Sequence, residues 1–336
     1  MEQPEFVYQS TQICRRRRPV NIQTSDERLF IKEYEREIGP INTRTLSDCL
    51  LFDSMIIGHS QGDTTSLQLV NHKSGLFRMA ISMAKFSAAR LQPNDRHFAG
   101  CWVVDDWSHD YFHWLTESLC KIELLRLLSL ESPVLLPAAY RSFRFIEESL
   151  QILGIPFSYL SDWRISNIDR LTTVSFDFPP GNFNCHLLRR LARRFENIAT
   201  EQRRPDRRIW ISRSLAKRRH IVNEDALRPV LNRHGFQIVE LEKYSLREQI
   251  EMLRQSSIIA GLHGAGLTNM LFMSEGSQVI EIRRRDDDHS NCYYSMASAL
   301  SHDYYYLLAD PFDSDVHAGD CTLEPDQLDS LLGKLK

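Results

Sequence analysis

The chain has 336 residues, a formal net charge of −3 and an isoelectric point of about 6.5. Its 42% hydrophobic and 25% charged residues are typical of a globular protein, and its length suits two domains. The small net charge creates no general attraction for nucleic acid or for an anionic membrane, so we expect no nucleic-acid partner.

The cysteines and the apolar runs bear on the compartment. Seven single cysteines with no Cys-x-x-Cys pair favour a reducing compartment over a disulfide framework or a structural zinc site. No apolar N-terminal stretch has the pattern of a secretion signal, and no apolar run approaches the length of about 18 residues that a membrane span needs. We therefore expect a cytoplasmic protein without a transmembrane segment, or one that is peripheral to the inner face of the membrane.

Residues 1–200 are predicted to form the first domain, which begins with a polar segment. Short apolar runs between residues 46 and 83 are split by Gly, Asn, Asp and Ser, as is typical of strands and hairpins. A strand at 98–104 then leads into a helix at 109–128 with Ser108 as its N-cap. The alternation that follows predicts a mainly parallel sheet. Its further strands are expected at 134–137, 157–160 and 171–176, and its further helices at 140–153 and 183–200.

Residues 205–310 are predicted to form the second domain, after a basic and polar boundary at 201–206. Regular alternation of strands and helices predicts an open, doubly wound parallel sheet. Ser245 and Glu248 have the spacing of a capping box. The acidic tail, residues 311–336, is expected to pack back on the first domain. The predicted strands are 208–212, 236–241, 257–260, 278–282 and 304–308, and the predicted helices are 223–234, 245–255, 264–273 and 291–300.

Residues 258–272 combine a short apolar strand, a glycine-rich turn and the start of an apolar helix. In the turn His263 is followed by Gly264, Ala265 and Gly266, so that a ligand can approach the backbone closely. Unpaired amides and the positive end of a helix dipole favour a phosphate or diphosphate there. The alternative is a crossover turn in which the glycines only allow the helix to pack on the strand.

Charged side chains occur at or just after the carboxyl ends of three predicted strands, where ligands bind in open α/β sheets. Arg213 and Lys217 follow the first strand, His263 follows the central one, and Glu281 lies at the end of the next. Such a set can hold a nucleoside diphosphate without metal, because fixed cations and dipoles replace the ion, and Glu281 can bind ribose hydroxyls. The alternative is a set of surface charges, above all for Lys217, which two further arginines follow.

Six blocks of residues support a family resemblance. They are 111–115 (YFHWL), 209–214 (IWISRS), 223–224 (NE), 246–250 (LREQI), 263–269 (HGAGLTN) and 279–282 (VIEI). In their order and spacing these blocks resemble glycosyltransferase family 61, which includes plant xylan arabinosyl- and xylosyltransferases, animal O-linked N-acetylglucosaminyltransferases and bacterial capsular-polysaccharide-type proteins. The resemblance covers roughly residues 98–285.

The resemblance implies a GT-B-type α/β fold, in which two Rossmann-like domains with mostly parallel doubly wound sheets face a cleft. It implies an inverting, metal-independent transferase without a cofactor. The enzyme would move a sugar from a nucleoside-diphosphate donor, with UDP expected, to a glycan or glycoconjugate hydroxyl in polysaccharide biosynthesis. The second domain would bind the donor diphosphate through Arg213 and the turn at 263–265. The first domain would be the acceptor side, with His113 across the cleft near the transferred sugar.

Inversion requires a base that takes the proton of the acceptor hydroxyl. Candidates on one predicted helix face are His113, Glu117 and Asp110, with His109 also in register. His113 is the first choice because an imidazole titrates near neutral pH, while Glu117 either orients it or acts itself. Many family members have Asp or Asn where this chain has Glu117, which leaves that role open. Alternatively, His113 is a core histidine bonded to a carbonyl, and Asp110 only favours the helix N-terminus.

Metal chemistry and two other functions are the remaining alternatives. Residues 109–113 (HDYFH) differ in one residue from the His-Glu-x-x-His zinc motif, for which Glu117 could be a third ligand. Asp286-x-Asp288 and Asp313-x-Asp315 resemble a metal site but are expected in solvated loops, so we expect no metal. A nucleotide-sugar epimerase or hydrolase on the same fold would need no acceptor. A non-catalytic sugar-nucleotide-binding protein would bind the donor without turnover.

Overall fold

The computed structural model describes residues 6–52, 55–60, 63–69, 94–162, 164–196, 198, 205–287 and 290–335. Of the stretch between residues 46 and 83 that is predicted to form strands and hairpins, residues 53–54, 61–62 and 70–83 lie outside this part of the chain. The chain divides into two compact units: Met1–Gln12 with Gly39–Phe178, and Ile13–Ile38 with Pro179–Lys336. The second unit thus includes an N-terminal segment that the sequence led us to place in the first domain.

Both units are built of strands and helices. The strands of the described residues are β1 (Phe6–Gln9), β2 (Gln12–Arg15), β3 (Glu35–Ile38), β4 (Ile41–Phe52), β5 (Met55–Ser60), β6 (Asp63–Leu69), β7 (Asp95–Trp102), β8 (Val134–Leu136), β9 (Phe157–Tyr159), β10 (Ser166–Phe176), β11 (Arg207–Ile211), β12 (Phe236–Val239), β13 (Ser256–Leu262), β14 (Gln278–Arg284), β15 (Asp303–Pro311) and β16 (Cys321–Thr322). Their helices are α1 (Glu27–Phe30), α2 (Tyr111–His113), α3 (Leu119–Leu127), α4 (Arg144–Ile152), α5 (Cys185–Glu196), α6 (Glu224–Arg233), α7 (Leu246–Arg254), α8 (Cys292–Ala299) and α9 (Pro325–Leu332). A π-helical turn (Trp114–Ser118) joins α2 to α3, and 3-10 helices are formed by Thr24–Asp26, Ile31–Glu33, Ala138–Ser142, Leu241–Lys243 and Ala265–Phe272.

The sheet of the first unit is mixed, in the order β6-β5-β4-β10-β7-β8-β9, with β1 paired to β4. Strands β10, β7, β8 and β9 are parallel, whereas β4 is antiparallel to β1, β5 and β10, and β5 is antiparallel to β6. The parallel pairing predicted for the strands after residue 98 is confirmed, but the antiparallel strands β1, β4, β5 and β6 make the whole sheet mixed rather than mostly parallel. Short connections between β4, β5 and β6 require antiparallel pairing, because a parallel pair needs a long crossover.

The predicted helix at 109–128 begins later and is interrupted. It consists of α2, the π-helical turn and α3, and Asp110 rather than Ser108 occupies the N-cap position. The Ser108 side chain is buried and donates instead to Asp105, 2.9 Å away. Trp114 in the π-helical turn is fully buried and donates through Nε1 to Ser149 Oγ on α4, at 2.8 Å. This packing fixes the segment that carries His113.

The sheet of the second unit has the order β12-β11-β13-β14-β15-β16. The first five strands are parallel, as predicted, and only β16 is antiparallel. Numbered within this sheet, the parallel strands run 2-1-3-4-5, so the winding reverses between β11 and β13. Ligands of open α/β sheets bind beyond the carboxyl ends of the strands at such a reversal. The topology alone therefore selects the ends of β11 and β13.

Two helix starts in this unit show how local sequence acts. The capping box of Ser245 and Glu248 is confirmed at the start of α7. The predicted α-helix at 264–273 is instead the 3-10 helix Ala265–Phe272. Asn269 contributes to this difference, because its side-chain amide donates to the Gly266 carbonyl at 3.0 Å and competes with α-helical backbone bonding.

The tail packs within the second unit, and its expected packing on the first domain stays a prediction. Leu323, Leu328, Leu331 and Leu332 are buried in one apolar cluster together with residues of α6, β11, β13 and β14. The amphipathic spacing of the leucines in α9 explains this burial on α6. No described helix is long and apolar enough to cross a membrane.

The N-terminal segment of the second unit lies on β15 and α8. Phe30 is fully buried and packs edge-on against Tyr294, with ring centroids 5.2 Å apart. Asn21 exchanges two hydrogen bonds with the backbone of Tyr306, at 2.7 and 3.1 Å. These long-range contacts explain why residues 13–38 belong to this unit.

The tail also holds the segment that follows β11, residues 213–223, which we call the arginine loop. His220 donates from its backbone to Asp320 Oδ1 at 2.7 Å, and its carbonyl accepts from the Cys321 amide at 2.9 Å. Asn223 precedes α6 but does not cap it with its side chain, which instead exchanges two hydrogen bonds with the backbone of Leu323. The loop is therefore fixed by contacts about a hundred residues away in sequence.

Candidate active site

The end of β11 is fixed before it reaches the arginine loop. The Ser212 amide donates to the Val239 carbonyl at 2.9 Å, and its hydroxyl donates to one oxygen of Glu224 at 2.6 Å. The other Glu224 oxygen accepts from Trp210 Nε1 at 2.7 Å. Sequence reasoning noted Glu224 only as part of a family block, and its structural role is to attach the strand end to the start of α6.

Arg213 brings the arginine loop and the glycine-rich turn together. Its Nε donates to the Arg219 carbonyl at 2.8 Å and its Nη2 to the Arg218 carbonyl at 3.0 Å. A Cβ atom at Gly264 would overlap Nη1 of Arg213 and lie 2.9 Å from its Cζ. Only glycine at 264 therefore lets the guanidinium lie against the turn. Burial, followed by the charge of Arg219, lowers the pKa of Arg213 below its ordinary value.

The turn offers backbone donors next to this guanidinium. Gly264 accepts from the Leu267 amide at 3.0 Å, which starts the 3-10 helix. Within the described chain, no hydrogen bond uses the amides of Ala265 and Gly266. Ala265 is exposed and Gly266 is partly exposed. Free amides at a helix start are suited to an anion, and here they lie close to a cation that already touches the turn.

The ring of His263 is held by a hydrogen bond to a buried carboxylate. Its Nδ1 is hydrogen-bonded to Glu281, which is fully buried and also accepts from the hydroxyl of Tyr304. Its ring meets Tyr293 edge-on, with centroids 4.9 Å apart. Because the Glu281 carboxylate accepts the hydrogen bond from Nδ1 of His263, the Nε2 atom of His263 is left for a ligand.

Glu281 is a positioning residue in this arrangement. Burial by itself raises the pKa of Glu281, but the charges of His263 and Arg283 outweigh it and hold the pKa below its usual value. We predicted that Glu281 binds ribose hydroxyls, but no part of its side chain is exposed. Its two oxygens are instead taken by His263 and Tyr304. Its charge serves to orient His263.

A pocket of about 290 Å³ opens beside Arg213 at the carboxyl edge of β11. The start of α6 forms much of its wall, through Glu224, Asp225 and Arg228. Lys217 does not line this pocket and is exposed on the arginine loop, so the structure does not bring it to the turn as Arg213 is brought. Of the two cations predicted after β11, only Arg213 contacts the glycine-rich turn.

In the first unit, His113 and Glu117 form a close pair on the segment that includes the π-helical turn. Nδ1 of His113 lies 2.9 Å from Oε1 of Glu117, and both side chains are largely buried. Burial by itself lowers the pKa of His113, but the hydrogen bond and charge of Glu117 outweigh it and raise the pKa above 6.5. The pair leaves Nε2 of His113 as the atom that can accept a proton. Local π-helical geometry is frequent at functional sites.

Asp110 is not part of this pair. Its carboxylate is about half exposed and lies 3.9 Å from Nε2 of His109. A second carboxylate, that of Asp105, was not singled out from the sequence but acts on His113 more strongly than Asp110 does. Asp105 accepts from Lys121 Nζ at 3.1 Å and from Ser108, and its charge adds to the elevation of the His113 pKa. Its position just after β7 was the available signal, because such positions carry ligand-binding residues in α/β sheets.

The described residues contain no group of three or more His, Cys, Asp and Glu that could hold a metal ion. Of the two Asp-x-Asp motifs, Asp286 and Asp313 both form ion pairs with the buried Arg284, at 2.7 and 2.9 Å. Asp288 lies outside the described residues. Asp315 accepts from the backbone amides of its own loop.

Comparison with known proteins decides the family. The family model described as Glycosyltransferase 61 matches residues 111–280, which is half of the chain and includes both the His113 pair and the glycine-rich turn. The chain belongs to glycosyltransferase family 61. The resemblance of the six sequence blocks is thereby confirmed, and so is the expectation of a glycosyltransferase.

The chain is also similar to proteins that are named as glycosyltransferases. The chain is 33% identical over 84 residues to an EGF domain-specific O-linked N-acetylglucosamine transferase of Drosophila melanogaster, a match that covers 24% of this chain and 16% of the relative. It is 31% identical over 121 residues to the protein of the same name from Mus musculus, covering 34% of this chain and 22% of the relative. The chain thus matches about a fifth of the length of these relatives.

Proposed function

We propose that this glycosyltransferase moves a sugar from a nucleoside-diphosphate donor to a hydroxyl of a glycan or glycoconjugate, with inversion and without a metal ion. UDP is the proposed nucleotide, and polysaccharide biosynthesis is the proposed role. The GT-B arrangement of two Rossmann-like domains stays a prediction.

The observation that carries this proposal is the contact of Arg213 with Gly264. Among the described residues, the Arg213 guanidinium has no carboxylate partner and lies against a turn whose amides at 265 and 266 make no hydrogen bond, at the winding reversal of a parallel sheet. A diphosphate has the charge and the acceptor oxygens that this set lacks. Fixed cations and amides can stabilise the departing diphosphate in the way that a divalent ion does in other enzymes.

For the proton of the acceptor we propose His113 as the base and Glu117 as the residue that positions it. In the transfer step the hydroxyl oxygen bonds to the anomeric carbon while the bond from that carbon to the diphosphate oxygen breaks. The diphosphate leaves with the electron pair of that bond, and the proton passes to Nε2 of His113. The Nδ1–Glu117 hydrogen bond at 2.9 Å supports these roles because it fixes the tautomer and stabilises the imidazolium.

The pH dependence of kcat/KM tests these two roles. The base must be neutral, so kcat/KM rises with pH as His113 loses its proton, and the raised pKa shifts this ascending limb above 6.5. In Glu117→Gln the pKa of His113 falls, and the limb is expected to move to lower pH with a reduced plateau. His109→Gln, a change at a half-exposed ring nearby, should leave the limb in place. If Glu117→Gln abolishes activity at every pH, Glu117 and not His113 is the base.

The reaction itself is tested by release of the nucleoside diphosphate from a labelled donor, with and without an acceptor and with and without EDTA. We expect release that requires the acceptor and persists in EDTA. Release without an acceptor would indicate a hydrolase, and sugar inversion without transfer would indicate an epimerase. Activity that chelation removes and manganese restores would contradict the metal-free mechanism.

The donor panel should begin with UDP-N-acetylglucosamine, because the matched relatives are named as N-acetylglucosamine transferases. EGF domains are the corresponding first acceptors to test. The match covers at most about a third of this chain, so other sugars and glycan acceptors belong in the same panel.

A further inference from the structure

Arg219, in the arginine loop, has an unfavourable backbone conformation. Its φ of 62° lies in the left-handed region, which residues other than glycine rarely adopt. The conformation is held by its amide, which donates to the Ala318 carbonyl at 3.2 Å, and by its carbonyl, which accepts from Arg213 at 2.8 Å. Such strain persists only where the surroundings enforce it, and it is concentrated at functional sites.

Within the described part of the protein, the guanidinium of Arg219 has neither a hydrogen-bond partner nor a carboxylate that pairs with it. Its Nε is buried and has no hydrogen-bond partner. No carboxylate among the described residues pairs with it, whereas two buried arginines of this unit, Arg16 and Arg284, are paired with Glu33 and with Asp286. An unpaired donor on a charged group is costly when removed from water, so an occupant that accepts from it would stabilise the site.

The charge of Arg219 is close to the glycine-rich turn. The pKa of the Arg213 guanidinium is lowered first by burial and then by the positive charge of Arg219. That charge also acts on Tyr293, where burial raises the hydroxyl pKa and Arg219 opposes that rise. Tyr293 in turn packs on His263, and Arg213 packs on Gly264. Two like charges therefore lie beside one turn with no carboxylate bonded to either guanidinium among the described residues.

We propose that Arg219 is a second phosphate-binding side chain, which together with Arg213 clamps the diphosphate of the donor from the side of the arginine loop. This inference rests on the proposed function. Arg219 thus takes the phosphate-binding role that the sequence suggested for Lys217. Lys217 lies two positions earlier in the chain and is exposed. This role of Arg219 also explains the strained backbone, because the same residue positions Arg213 through its carbonyl and binds the ligand through its side chain.

Arg219→Gly is the sharpest test, because glycine suits the left-handed backbone and keeps the carbonyl that holds Arg213. Binding of UDP, inorganic pyrophosphate and uridine to the full chain is measured by calorimetry. We expect Kd for UDP and pyrophosphate to rise about 10- to 100-fold, as loss of a charge-assisted contact predicts, while Kd for uridine stays unchanged and Tm does not fall. Arg207→Ala, which removes an exposed charge at the opposite end of β11, is the matched control and should change neither.

Each other result has a defined meaning. If wild-type protein binds UDP and pyrophosphate no better than uridine, the proposed function fails and this inference fails with it. If wild-type protein prefers UDP and Arg219→Gly binds it equally well, the donor site stands and the role of Arg219 is wrong. A fall in Tm together with equal weakening for uridine would assign Arg219 a structural role only. Arg219→Lys, which keeps the charge, should recover part of the pyrophosphate affinity.

Discussion

Arg213→Ala is expected to lower kcat/KM for the donor roughly 100-fold or more, which corresponds to about 3 kcal/mol of transition-state stabilisation. The variant removes the guanidinium that lies against Gly264 and the charge that would neutralise the departing diphosphate. It also removes two hydrogen bonds to the arginine loop, to the carbonyls of Arg218 and Arg219. Steady-state kinetics with a labelled donor measure the effect.

Two further variants separate charge from folding in this experiment. Arg213→Lys keeps a positive charge but loses the planar fork, so we expect an intermediate loss. Arg207→Ala removes an equal charge from an exposed position and should behave as wild type. Urea unfolding of each variant shows whether it is folded. Wild-type kcat/KM and donor affinity in a folded Arg213→Ala protein would remove this residue from the site.

Glu281→Gln is expected to lower the free energy of unfolding by about 3–5 kcal/mol, as breaking a buried ion pair does. The substitution preserves the shape of the side chain but removes a fully buried negative charge. His263 and the buried Arg283 would then lie beside a neutral group, and Tyr304 would lose a charged acceptor. Urea denaturation at neutral pH measures the loss.

The loss of unfolding free energy in Glu281→Gln depends on pH, and the lowered pKa of Glu281 fixes the direction of that dependence. A carboxyl group whose pKa is lower in the folded state stabilises the protein above its unfolded pKa, and this stability is lost as pH falls through the folded value. The difference between wild type and Glu281→Gln should therefore shrink in acid. Glu240→Gln, at a partly exposed carboxylate paired with Lys243, should have little effect. A Glu281→Gln protein as stable as wild type would show that the buried charge contributes nothing.

The sequence predicted those features that depend on neighbouring residues. Apolar runs bounded by polar turns located β11 to β15 to within a few residues, and the Ser245 capping box marked the start of α7. Arg213 and the glycine-rich turn were found because both follow buried strands, and parallel strands bring their carboxyl ends to one edge. The close approach of Arg213 to Gly264 is the structural counterpart of that reasoning.

Features that depend on distant contacts could not be found this way. Residues 13–38 lie in the polar segment that the sequence assigned to the first domain, yet Phe30 is buried among tyrosines of α8 and β15. Lys217 and Arg219 cannot be ranked from the sequence, since both follow β11 within a few residues. The difference arises from the Ala318 carbonyl, about a hundred positions later, which holds the Arg219 backbone. Likewise the burial of Glu281 depends on Tyr304, a neighbour only across the sheet.

The anchoring of the arginine loop by residues 318–323 has a consequence for biogenesis. A ribosome must synthesise nearly the whole second unit before these partners exist, and closing so long a segment is entropically slow. A nascent or C-terminally shortened chain would therefore carry both arginines without their geometry. Under the proposed function, binding of the sugar nucleotide would require the finished second unit, and the bound nucleotide would stabilise that unit by mass action.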